Sequence, residues 1–177
     1  MIDGTRFKDF KRGTDKWFLD PRIETKYQMG EELYAAAHTD RGHLTRFKDL
    51  SWGAKKEDAV KATNDSFHFT NCTLQLDGFN EQKSRWQGLE LFLLENHAKK
   101  DDRKMIVITG PVLLDSDPRY KNESMNYTAQ IPVAFWKVCC LRRQDGSLAA
   151  TGFKMGQGRH HRASRLRGEV RRRRGPE

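Results

Sequence analysis

The chain has little cysteine and no metal-cage spacing. Cys72, Cys139 and Cys140 are its only cysteines among 177 residues, and neither C-x-x-C nor H-E-x-x-H occurs. A disulfide framework and a structural zinc site are therefore both excluded by count and spacing. Cys139 and Cys140 are neighbours on an expected strand and must point to opposite faces. All three read as reduced and mostly buried, since free cysteine packs as a small hydrophobe. Long apolar runs are missing too. None approaches the ~20 residues that span a bilayer, so no membrane partner is expected. Met1-Ile2-Asp3-Gly4 leads directly into charged sequence rather than a signal peptide. An intracellular place is then the default unless the N-terminus is truncated, and the compartment itself stays unknown. Internal repeats are absent as well.

Charge is what the chain has in abundance. Charged residues make up 32% and apolar residues only 36%, with a formal net charge of +9. The charge is uneven. Residues 158–177 carry eight arginines against Glu169 and Glu177, which is +6 of the total. That stretch lacks hydrophobic periodicity and is expected to be a disordered basic tail. The body, residues 1–157, is one domain's length and only mildly basic.

Within the body, residues 1–16 are charged and aperiodic. Residues 17–23 read as a short edge strand ending at Pro21, and residues 32–37 as a short helix or turn. Residues 55–63 have helix-forming composition. Aromatic alternation over residues 65–76 predicts a strand feeding a loop. The clearest helix is 80–98, where Trp86, Leu89 and Leu93 follow helical spacing and Glu90 lies one turn after Trp86. Met105 to Ile108 reads as a buried strand stopped by Gly110-Pro111. Residues 115–130 read as a polar loop. Residues 133–141 and 147–153 read as strands joined at Asp145-Gly146.

Against this frame stands an ordered series of short motifs. Leu33-Tyr34 precedes Asp40-Arg41-Gly42-His43-Leu44, and then comes Phe67-His68-Phe69-Thr70-Asn71 with Gln75. Phe79-Asn80 and Trp86-Gln87-Gly88-Leu89-Glu90 follow, and later Thr109-Gly110-Pro111 and Ile131-Pro132-x-x-Phe135-Trp136-Lys137-Val138. Hydrolysis of an ester needs a base for water, neutralised charge on the oxygens of the attacked group and a stabilised leaving alkoxide. Histidine suits the first task, with an unperturbed pKa of ~6.5. A hard, oxygen-loving cation that keeps its own waters suits the others with few protein ligands.

The series, over about residues 1–153, resembles the DNA/RNA non-specific endonuclease family, the ββα-metal (His-Me finger) nucleases of the endonuclease G type. The spacing F-N-x5-W-x2-L-E resembles a bacterial branch. The resemblance implies an α+β fold with a central, mostly antiparallel sheet flanked by helices. It implies Mg²⁺, replaceable by Mn²⁺, and DNA and RNA as substrates cut without sequence preference. It assigns His43 as general base, Asn80 as direct metal ligand and Glu90 as a group acting through metal-bound water. Arg41 becomes a phosphate contact, and Asn71 a residue that orients His43 or the loop beneath it. A homodimer and an inhibitor protein are further partners it leaves room for.

Blander readings stand beside these. Asn80 at a helix start is most often an N-cap, and Glu90 could be a solvated helix residue. Arg22 could reach a phosphate or form a plain surface ion pair. His38, His68 and His97 read as structural or surface residues, and His160-His161 as tail without a site role. Leu74 stands where family members commonly have proline. The longer gap between Asn80 and Glu90 places the start of the metal helix after Asn80. Met1 to Gly4 resemble the end of a family strand, and the arginine-rich tail departs from the family. A chain truncated at both ends is thus expected, and with it a rival reading: a remnant that binds nucleic acid or protein without cutting.

Overall fold

The structure, a computed structural model, describes residues 1–37, 39–80, 86–101, 103–122 and 126–157. The chain opens with β1 (Ile2–Asp3) and a 3-10 turn (Gly4–Arg6), then runs irregularly to a second 3-10 turn (Thr25–Tyr27). Next come α1 (Glu31–Ala37), β2 (Asp40–His43), a 3-10 turn (Phe47–Leu50) and α2 (Lys56–Asp65). A 3-10 turn (Phe69–Asn71) leads into β3 (Cys72–Gln75), α3 (Asp77–Asn80) and α4 (Trp86–Phe92), which continues as a π-helical segment (Leu93–Lys99). The C-terminal half is β4 (Lys104–Val112), β5 (Arg119–Asn122), β6 (Tyr127–Gln130), β7 (Ala134–Arg142) and β8 (Leu148–Gly156).

The main sheet has order β1-β4-β7-β8 and is antiparallel throughout. Its inner face takes alternate residues of each strand, as a two-residue period dictates. Met105 and Cys139 pack there against Ile2, Leu93, Leu94 and Ala98. Phe135 meets Phe79 and Trp86 with ring centroids 5.4 and 5.6 Å apart. The helix run is thereby clamped to the sheet, and all three of those aromatics are fully buried. Cys139 is buried on this face and Cys140 is half-buried on the other, so the adjacent cysteines split as expected, and all three cysteines are free.

A second layer holds the site. β2 and β3 form a two-stranded antiparallel ribbon in which Asp40 faces Gln75 and His43 faces Cys72. Leu33 and Tyr34 of α1, Leu74 of the ribbon, and Tyr120 and Ala129 of the β5–β6 hairpin make its core. Gln157 ties ribbon to sheet. Its side chain accepts from Leu76 N at 2.7 Å and donates to the carbonyls of Leu74 and Pro132.

Several expectations change. Residues 17–23 form no strand. Phe18 alone bridges His68, and Pro21 sits in a turn. β4 does not stop at Gly110-Pro111 but runs to Val112. β1 pairs only with Lys104 and Met105, so the far part of β4 is an edge, where proline is tolerated. The polar loop expected at 115–130 contains the β5–β6 hairpin. Within its strands Tyr120 faces Ala129, both buried, between polar sequence neighbours. Of the single helix expected over 80–98, Asn80 lies at the end of α3 and residues 86–99 form α4 and its π-helical continuation, with residues 81–85 outside the described residues. The expected disorder of 158–177 also lies outside them, as do His38 and His160-His161.

Candidate active site

One cavity of about 510 Å³ opens where the ribbon, α3, α4 and the irregular N-terminal segment meet. His43 and Arg41 come to it from β2, Asn80 from the end of α3, and Gln87, Glu90 and Leu91 from one face of α4. The i, i+3, i+4 spacing of those last three puts them on one helix face. Trp86, on another face, goes to the core.

His43 stands between aromatic rings. Trp17 lies 4.7 Å and Phe67 5.1 Å from its ring centre. Its Nε2 is 3.5 Å from Ser66 Oγ, whose hydroxyl donates to Thr63 O at 2.6 Å. Ser66 Oγ can then only accept, which fits a tautomer with the proton on Nε2 and the lone pair on Nδ1. Burial lowers the imidazole pKa to about 4, with a further push from the Arg12 guanidinium. The ring is therefore neutral at ordinary pH.

Asn71 acts just behind it. Its Nδ2 donates to Thr45 O and Ser66 O, each at 2.9 Å, and its Oδ1 accepts from Thr45 N at 3.0 Å. It thus pins the segment that follows His43 to the residue that faces Nε2, and of the two places expected for it, it occupies the loop.

Asn80 is the last residue of α3. Its N–H donates to Leu76 O at 2.9 Å, closing the last turn of α3, ahead of α4. Its Nδ2 donates to Asp40 Oδ2 at 3.1 Å. That bond turns the carbonyl Oδ1 away from the carboxylate. Glu90 is not a solvated helix residue. It is buried, and burial raises its carboxyl to about 7 against the pull of Lys137 and Arg46.

Arg41 is held by an ion pair with Glu31 and lies 5.8 Å over the Tyr34 ring. Arg22 is not among the residues lining the cavity. It forks onto Asp20 at 2.6 and 2.8 Å, the plain surface pair of its two readings. His68 gives a ring contact to Phe18 and a 2.8 Å bond to Asp65 O, outside the cavity.

Sequence reasoning gave no role to Arg12, Asp15, Trp17, Asp40, Arg46 or Lys48, which also line the cavity. Asp40 was within reach, standing in the tetrapeptide itself. Arg12 and Asp15 lie on aperiodic sequence and Trp17 at the start of the expected edge strand, and only the fold brings them to the cavity of His43.

The donor set fits a hard cation. Asp40, Asn80 and Glu90 offer oxygen, and sulfur is absent from the cavity lining. No group of three or more His, Cys, Asp or Glu side chains could hold a metal among the described residues.

A two-stranded ribbon presenting a histidine across a cavity from a helix with asparagine before it and glutamate on it defines the ββα-metal nuclease fold. The comparisons agree. The chain matches the family described as DNA/RNA non-specific endonuclease over residues 1–169. The chain belongs to that family. It is 37% identical over 162 residues to the uncharacterized protein y4fB of Sinorhizobium fredii, covering 88% of this chain and 23% of that protein. It therefore spans about a quarter of that relative's length. Among solved structures, a chain of the EndoG/EndoGI complex, which concerns the inhibition of EndoG, superposes with a TM-score of 0.63 at 19% identity. That match covers 88% of this chain and 62% of the other.

Proposed function

We propose that the chain is a Mg²⁺-dependent nuclease that hydrolyses phosphodiester bonds in DNA and RNA without sequence preference. Residues 1–157 would form the catalytic unit and 158–177 a basic tail. The observation that carries the reading is convergence. His43, Arg41, Asn80 and Glu90 come from three separate elements and line one cavity. His43 Nδ1 takes the proton from the attacking water, and Ser66 and Asn71 hold the ring and its segment for that task. Arg41 and Arg12 meet phosphate oxygens. Asn80 would hold the ion directly through Oδ1, with Asp40 fixing the carboxamide, and Glu90 would reach it through water. Mg²⁺ bound there would supply charge neutralisation at the phosphoryl and leaving oxygens. Mn²⁺, with similar oxygen preference, would substitute. Phosphate and metal contacts carry no base information, hence the lack of sequence preference.

A partner that blocks this cavity would inhibit cleavage. The EndoG/EndoGI complex makes an inhibitor protein the natural kind to look for. The test of the function is nicking of supercoiled plasmid, and cutting of a structured RNA, by the purified full chain. Cleavage with Mg²⁺ that stops on adding EDTA is expected. Binding of both substrates with no cleavage in Mg²⁺ or Mn²⁺ would leave the non-cutting remnant as the correct reading.

A further inference from the structure

Lys137 is out of place for its position. It lies on the inner face of β7 between Phe135 and Cys139, both buried, and is itself 1% exposed. A lone ammonium there is costly unless paired. Its Nζ lies 3.4 Å from Glu90 Oε1 and 4.7 Å from the centre of the Trp86 ring. The other carboxylate oxygen, Oε2, is 4.0 Å from Arg46 Nε. Arg46 is in turn fixed by Asp49 at 3.0 Å and by the Glu90 carbonyl at 3.3 Å. The carboxylate is thus held from the sheet below by Lys137 and from the side by Arg46. Arg46 lines the cavity, whereas Lys137 does not. The cavity-lining side chain that Lys137 contacts directly is Glu90.

We propose that Lys137 is a positioning residue: its ammonium, from the sheet beneath the cavity, fixes the orientation in which Glu90 presents its carboxylate. This rests on the nuclease reading above. A two-by-two set of full chains tests it: wild type, Lys137→Met, Glu90→Gln and the double variant. Methionine keeps the length of the stem and its packing on Trp86 but drops the charge. In the wild-type background, Lys137→Met should lower kcat roughly 10–100-fold, the usual loss when an outer support of a metal site is removed. KM for plasmid should stay within about twofold, because a buried residue cannot touch substrate. In the Glu90→Gln background the same substitution should change kcat less than about threefold, because the group it acts through is already altered.

A second readout needs no metal. In EDTA, Lys137→Met strands a buried carboxylate and should lower Tm by roughly 10 °C. In the Glu90→Gln background the fall should be less than half as large. If Lys137→Met alone fails to fold, the double variant against Glu90→Gln decides: equal kcat supports the proposal and a further tenfold loss overturns it. A folded Lys137→Met chain with wild-type kcat would make the pair purely structural and overturn it. So would equal kcat losses in both backgrounds. If the wild-type chain does not cleave at all, the nuclease reading fails first and the positioning role falls with it. A wild type that cleaves beside an unaffected Lys137→Met sinks the positioning role alone.

Discussion

At the scale of single residues, the environment of His43 makes a direct prediction. Trp17 and Phe67 enclose the ring, and that burial, with Arg12 nearby, holds its pKa at about 4. The folded value lies below the ~6.5 of an unfolded chain. The neutral ring therefore contributes stability in full above about pH 6.5, and the contribution is lost as pH falls toward the folded pKa. An NMR titration should find the His43 midpoint near 4, and Trp17→Ala, by admitting water, should raise it. A midpoint near 6.5 in the wild type would contradict the enclosure. For the chemistry, His43→Ala should reduce cleavage ~10²–10⁴-fold while leaving nucleic-acid binding nearly unchanged. Asn80→Ala should weaken the response to Mg²⁺ and recover in part at high Mg²⁺, since water can replace one carboxamide. Glu90→Gln should be milder, a loss of ~10–100-fold. Wild-type metal titration curves from both variants would remove them from the metal site.

At the scale of elements, the β2–β3 ribbon depends on one glycine. A Cβ on Gly42 would lie 2.1 to 2.3 Å from the Gln75 side chain, which is fully buried and has nowhere to go. Gly42→Ala should therefore force the ribbon apart and cost about 1–3 kcal/mol, as overpacked cores do. Thermal unfolding would show this as a lower Tm, and Gln75→Ala in the same chain should recover much of it by opening the space. A Gly42→Ala chain as stable as wild type would mean the ribbon is loose. The sequence marked β3 through the aromatic alternation of 65–76, but β2 only as part of a motif. β2 is four residues long, Asp-Arg-Gly-His, with no alternating apolar pattern to mark it. Strands β7 and β8 and helix α2, by contrast, announced themselves by the Asp145-Gly146 turn dipeptide and by helix-forming composition. The β5–β6 hairpin was hidden for the opposite reason to the helix run. Its strands are mostly polar in sequence, whereas continuous helical spacing over 86–99 conceals the passage from α4 into the π-helical segment. His43, Arg41, Asn80 and Glu90 were singled out by the motif series and the family it resembles. Arg12 and Trp17 were not, because their place over His43 comes from an irregular segment held by a few bonds, such as Phe18 N to Phe67 O at 2.9 Å and Phe69 N to Phe18 O at 2.9 Å.

At the scale of the whole molecule, charge is distributed against expectation for a protein that gathers nucleic acid at its site. The cations around the cavity are each already engaged. Arg12 pairs with Asp15, Arg41 with Glu31, Arg46 with Asp49, and Lys48 stands 3.9 Å from Asp9. Residues 1–157 carry only +3 of the +9, and residues 158–177 carry the other +6. On the nuclease reading, long-range attraction of nucleic acid would come largely from the tail. Deleting residues 158–177 should therefore weaken binding and make it less sensitive to salt. Each phosphate that the tail no longer neutralises should reduce the slope of log K against log salt by ~0.9 on duplex DNA, because fewer counterions are released. Cleavage at saturating substrate should change little, since every residue proposed for the chemistry remains. Binding and plasmid nicking across a salt series, with and without the tail, separate the possibilities. An unchanged salt slope would mean the arginines do not meet nucleic acid. Loss of nicking at saturation, in a truncated chain still folded by circular dichroism, would mean that the tail contributes to the site and that the catalytic unit extends past residue 157.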